Sequence, residues 1–172
     1  MADPFSILGL EPSYDIDDKA LAERHRTLSA TLHPDRYVGK PAAERRMALD
    51  RAIEVNAAYR RLRDPVRRAE AFLQTIGIEV GDGAEPKASP ALLMEMMEVR
   101  EALAEAKAEA DLDRVGRLSD EMKTKERSLL IRLSDKLAGT VEGAAVLPLL
   151  GELRYVRRFF EEVEAIEEQM MS

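Results

Sequence analysis

The 172-residue sequence contains no cysteine, no tryptophan and only two histidines. The first absence removes disulfides, thiol nucleophiles and cysteine-ligated zinc or iron–sulfur clusters together, and two histidines cannot build a histidine-rich metal site. No resident cofactor or metal is expected. Aromatics are scarce, at four Phe and four Tyr, a composition of helical rather than β-rich proteins. No hydrophobic run approaches the roughly 20 residues that a bilayer crossing requires. The opening "MADPFSILGL" has no basic segment before its short apolar run, so a protein of the cytoplasm without membrane association is expected. Nucleophile, metal and phosphate-loop signatures are also missing, so an enzyme is not expected.

What is present is 45% hydrophobic and 34% charged residues, with helical spacing nearly throughout, and the fold class is read as all-α. The net charge of −7 is unevenly placed. Residues 1–76 carry 13 basic and 12 acidic side chains, whereas the rest carry 13 and 21. The two parts present different faces to partners. Between them "GIEVGDGAEPKASP", Gly77 to Pro90, has three glycines and two prolines and no apolar period, which reads as a turn-rich connector. Domains are accordingly placed at 1–76 and 90–172, with a linker at 77–89.

In the first part, Leu21, His25, Leu28 and Leu32 recur at four, three and four, one face of a helix from Asp17 to Leu32 whose acidic start suits the helix dipole. Pro34 ends it. Ala48, Ala52, Val55, Tyr59 and Leu62 mark a second helix up to "RDP". A loop of about eight residues between these two helices holds His33, Pro34 and Asp35. "FSILGL" reads as a short helix ending at Gly9, and "DPVRRAEAFLQTIG" as another closed by Gly77. His33 and Asp35 are expected to face water at the hairpin tip, because a buried turn would strand its polar groups. The plain reading is a helix end with an incidental histidine. The sharper one is a rigid recognition turn, in which proline fixes the backbone, Asp35 can take an arginine and His33 supplies a donor and a ring. A hydrolytic role lacks a nucleophile. His25 lies on the seam as a partly buried packing residue. The run "RRLRDPVRR" has no stacking platform beside it and is read as a solvated helix end rather than a nucleic-acid site.

Together "DPFSILGL", the helix leading into "HPDR", and "VNAAYRRLRDPVRRAEAFL" resemble a J-domain, the module with which Hsp40-type co-chaperones engage DnaK-type ATPases. The resemblance implies that His33, Pro34 and Asp35, with Arg24 and Arg26 on the preceding helix, dock on that chaperone and stimulate its ATP hydrolysis. Thr27 and Thr31 stand where the family often has basic residues, which points to a specialised partner.

The second part reads as an antiparallel three-helix bundle, with breaks at "EADLD" and "AGTVEG" and Pro148 early in the third helix. The first helix has a seam of Leu92, Met96, Val99, Leu103, Ala106 and Ala110. Leu93, Met94 and Met97 are left over, roughly 100° to 200° from that seam, with Glu98 and Glu101 beside them. They form a second apolar stripe with an acidic rim. On the third helix Leu149, Leu153, Val156, Phe160 and Val163 read as the seam, flanked by Tyr155 and Phe159. A wide core is one explanation of the surplus, and a partner surface is another, since methionine adapts well to partners.

"LLMEMMEVREAL" and "LRYVRRFFEEVE", behind "RDPVRRAEAFL", are similar to the C-terminal domain of the HscB (Hsc20) family of iron–sulfur cluster co-chaperones. That resemblance spans essentially the full chain. It implies binding of the IscU-type cluster scaffold at Leu93, Met94, Met97, Glu98, Arg100, Glu101 and Tyr155, and delivery of the scaffold to an HscA/DnaK-type chaperone through the J-domain. Met97 and Tyr155 stand where relatives carry other apolar or aromatic residues. A general J-domain co-chaperone for unfolded clients remains the other reading.

Overall fold

The computed structural model describes residues 3–81 and 87–171. The middle of the connector, 82–86, lies outside the described residues. Seven α-helices and a short 3-10 turn account for the regular structure, and no strand occurs among the described residues. The chain divides into two compact units between Val80 and Gly81.

The N-terminal unit is built on α3, Ala42–Arg63, against which α1 (Pro4–Leu8), α2 (Asp18–Thr31) and α4 (Pro65–Thr75) pack. Phe5, Leu8, Leu21, Val55, Ala58, Leu62 and Ala71 form its core. Side chains cap the starts of three helices: Asp3 accepts from the amides of Phe5 and Ser6, Asp17 from Lys19 and Asp64 from Arg67. Each such cap contributes about 1 kcal/mol. The ends of α1 and α4 close with the six-to-one bonds of a Schellman turn, from Leu10 N–H to Phe5 and from Ile78 N–H to Leu73. Gly9 and Gly77 supply the left-handed residue that this turn requires, at φ +65° and +80°.

Arg68 corrects the solvated reading of "RRLRDPVRR". Only 8% exposed, it donates through Nε to the Leu62 carbonyl at 2.6 Å, through Nη1 to the Tyr14 carbonyl at 3.4 Å and through Nη2 to Asp18. A guanidinium has donors in a fixed fork, and here the fork ties the end of α3 to the segment before α2 and to its first turn. Arg60, Arg63 and Arg67 of the same run are exposed. Burial raises the ionisation of the neighbouring Tyr14 hydroxyl above its ordinary value, with the positive charge of Arg68 acting against that rise.

The C-terminal unit is a bundle of α5 (Pro90–Ala108), α6 (Leu112–Leu137) and α7 (Gly143–Met171), each packed on the other two. The ion pairs Glu95–Lys125, Glu105–Arg114 and Glu126–Arg157 set the levels of the helices. Numbers rise on α5 as they fall on α6. From the level of Glu95, Glu126 and Arg157 the Arg100–Glu162 pair lies five residues further along both α5 and α7, so α6 runs against its neighbours and α5 and α7 run the same way.

Two seam residues differ from expectation. Ala110 is outside α5 and exposed, with φ +54°. It occupies the left-handed place of a third Schellman turn, closed by Asp111 N–H to Ala106 at 2.9 Å. On α7, Phe159 is fully buried whereas Phe160 is half-buried, the reverse of the seam read from the sequence. Leu150, Leu153, Val156 and Phe159 are buried at a spacing of three, which winds round the helix by about 60° per step and carries the inward face to Phe159. Val146 and Leu150 also belong to this core. Pro148 lies inside α7 as its sixth residue, past the first turn, so it removes the bond an amide there would give the Ala144 carbonyl.

Candidate functional sites

The N-terminal site is the turn between α2 and α3. It occupies residues 32–41, longer than the loop expected, because Pro34–Tyr37 form a 3-10 turn. His33 is the cap of that turn: its Nδ1 accepts from the Asp35 amide at 3.3 Å and lies 3.4 Å from Asp35 Oδ2. Pro34 follows at the first position, where a missing N–H costs nothing. The His33 and Asp35 side chains are 59% and 86% exposed. A backbone this constrained holds two polar side chains in water with little ordering left for a partner to impose.

The two arginines of α2 are not brought together. Arg24 and Arg26 stand about 200° apart on the helix. Arg24 turns toward α1, where Nε donates to the Leu8 carbonyl at 2.7 Å. Its guanidinium lies over Gly9, so close that a Cβ there would be 2.6 Å from Nη2. Arg26 is exposed. Thr27 and Thr31 return their hydroxyls to the carbonyls of Glu23 and Thr27, both at 3.0 Å. His25 stacks on Tyr59, with ring centres 4.1 Å apart, and its Nε2 meets Asn56 Oδ1 at 2.8 Å.

The C-terminal site is the outer face of α5. Leu93, Met94 and Met97 are 41%, 63% and 70% exposed, while Leu92, Met96 and Leu103 are buried. Glu98 and Glu101 are exposed beside them. Arg100 and Tyr155 are half-buried. Arg100 reaches from α5 to α7, where its Nη2 pairs with Glu162 Oε1 at 2.7 Å. Tyr155 lies seven residues before Glu162 and so on the same face of α7, two turns away. With α5 and α7 running the same way, Tyr155 is level with Leu93. The stripe, the cation and the aromatic ring therefore belong to one two-helix surface. Glu162 went unnoticed in the sequence; its spacing of seven from Tyr155 was the available signal.

No cluster of three or more metal-ligating side chains occurs among the described residues, and no helix among them is long and apolar enough to cross a membrane. The fold and the exposed His-Pro-Asp turn define the class of a J-domain protein with an appended helical bundle. Residues 3–71 match the DnaJ domain family, and residues 88–164 match the HSCB C-terminal oligomerisation domain. A co-chaperone HscB homologue of Ralstonia nicotianae is 36% identical over 90% of this chain and 88% of its own. Among solved structures, chaperone HscB from Vibrio cholerae is 32% identical with a TM-score of 0.82, covering 98% of this chain and 99% of that one. Human co-chaperone HscB shares the fold at a TM-score of 0.85 and 24% identity, over 97% and 83%. The chain belongs to the HscB co-chaperone family.

Proposed function

We propose that this chain is an adaptor in iron–sulfur cluster biogenesis, with a J-domain at 1–76, a linker at 77–89 and a scaffold-binding bundle at 90–172. The bundle grips an IscU-type scaffold through Leu93, Met94, Met97, Glu98, Arg100, Glu101 and Tyr155. His33, Pro34 and Asp35, with Arg24 and Arg26, engage an HscA/DnaK-type chaperone and stimulate its ATP hydrolysis. The observation that carries this reading is the exposed methionine stripe on α5 in a chain of the HscB family. Holding both partners on one molecule raises the scaffold's effective concentration at the chaperone, which couples ATP hydrolysis to its capture. Interspersed glutamates on the scaffold side favour orientation and specificity over bulk affinity.

The test is steady-state ATP hydrolysis by the same organism's HscA-type chaperone with and without this chain and the scaffold. Stimulation amplified by the scaffold and lost in His33→Gln is expected. Equal amplification by a denatured client would favour a general co-chaperone, and absence of stimulation would remove the reading.

A further inference from the structure

Arg100 is the only basic residue between Pro90 and Ala106, set among Glu95, Glu98, Glu101 and Glu105. Its own helix gives it no ion-pair partner. The positions three and four residues away, where a helical neighbour would stand, hold Met96, Met97, Leu103 and Ala104. The guanidinium instead crosses to α7, where a single oxygen of Glu162 takes Nη2 at 2.7 Å. Nε is buried and has no hydrogen-bond partner among the described residues. The two side chains remain 38% and 43% exposed. This is a poor design for a structural strut, since a fork suited to bidentate pairing is held by one atom; the buried Nε lies out of a partner's reach, which leaves the Nη donors for one. It suits a group held at a surface for something else to complete.

We propose that Glu162 is a positioning residue of the scaffold site. Its carboxylate draws the Arg100 guanidinium off α5, beside the methionine stripe and two turns from Tyr155, and presents its donors to an acceptor on the docked partner. That acceptor is a carboxylate or a main-chain carbonyl. The surrounding glutamates require that the rest of the partner's contact surface be apolar and basic. A partner built this way is distinguished from a generic unfolded segment by the single acceptor it must place over Arg100. The inference rests on the scaffold-binding reading above.

The experiment is titration of the scaffold protein against the full chain and its variants, with dissociation rates and melting temperatures measured in parallel. Glu162→Ala is expected to weaken binding about three- to tenfold, chiefly through faster dissociation. Glu162→Gln, which keeps an acceptor oxygen, should recover part of that loss. In an Arg100→Ala background Glu162→Ala should cost nothing more, because a positioning residue acts only through the group it positions. Melting temperatures should stay within about 2 °C, as a pair this exposed contributes little to folding. Met94→Ala/Met97→Ala is the control. If that control weakens binding and Glu162→Ala does not, or if the Glu162 loss persists without Arg100, the inference is overturned and the scaffold reading stands. If neither the control nor the pair affects binding, the scaffold reading falls and takes the inference with it.

Discussion

The two surfaces proposed for recognition are built in opposite ways. The His-Pro-Asp turn is polar and exposed, with a backbone fixed by proline, by the 3-10 turn and by His33 capping Asp35. The α5 face is apolar, with a rigid helical backbone under methionines that have three free torsions each. Fixed polar groups suit a partner of constant geometry, because little entropy is lost on docking. Flexible apolar groups suit a partner whose surface must be followed, and the discrimination is then left to the few charges around them. The difference teaches where each site is vulnerable: single atoms in the first, summed contact area in the second.

The largest effect expected from breaking the comparison is therefore on the α5 face. Met94→Ala/Met97→Ala removes two side chains exposed at 63% and 70% and should weaken scaffold binding about ten- to a hundredfold, the range for losing central interface anchors. Because both side chains already face water, unfolding stability should change by under about 0.5 kcal/mol. ATPase stimulation in the absence of scaffold should be unchanged. A parallel loss of both activities, measured by titration and by ATP turnover, would mean that the two surfaces are not separate.

A second expectation concerns what ties the N-terminal unit together at the end of the α2–α3 hairpin away from the His-Pro-Asp turn. Arg68→Met keeps the stem but takes the guanidinium donor from the Leu62 carbonyl, while the Tyr14 carbonyl keeps the Ile16 amide at 3.1 Å. It should cost the N-terminal unit roughly 1–2 kcal/mol, mostly from the Leu62 carbonyl, since Asp18 is largely exposed. The change is read from denaturant unfolding followed by helical circular dichroism; a loss below about 0.5 kcal/mol would sink it. Loss of the neighbouring cation should also move the Tyr14 phenol titration further upward, since Arg68 lowers it. The sign for stability follows. A phenol that ionises later in the folded state favours folding fully below pH about 10, and that contribution disappears as pH rises through the folded value.

Much of this was legible in sequence, and the failures share a physical cause. The α2–α3 hairpin, the turn at His33, the glycine ends at Gly9 and Gly77 and the exposed stripe all follow from local spacing and turn chemistry. Arg68 does not, because its partners lie as much as 54 residues away and the run around it consists of arginines with similar local context. Phe159 and Phe160 were exchanged for a related reason. Periodicity finds a face that keeps one direction, and the buried line of α7 turns about its helix as it passes between two neighbours. Glu162 belongs to the same class, since its meaning comes from a residue on another helix.

The smallest effect sharpens a comparison within the backbone itself. Three helices end in the same Schellman turn, with glycine at positions 9 and 77 and alanine at 110. A left-handed conformation costs a residue with a Cβ about 1 kcal/mol, part of which glycine returns through its freer unfolded chain. Ala110→Gly should therefore stabilise the C-terminal unit by about 0.5 kcal/mol. Gly77→Ala should destabilise the N-terminal unit by a similar or slightly larger amount, because no atom lies within 4 Å of the added Cβ and only the backbone term is felt. Gly9→Ala should cost more than either, as it must also displace the Arg24 guanidinium. Equilibrium unfolding of the three variants tests the ranking, and a stabilised Gly77→Ala would show that the φ at these ends is not what selects glycine.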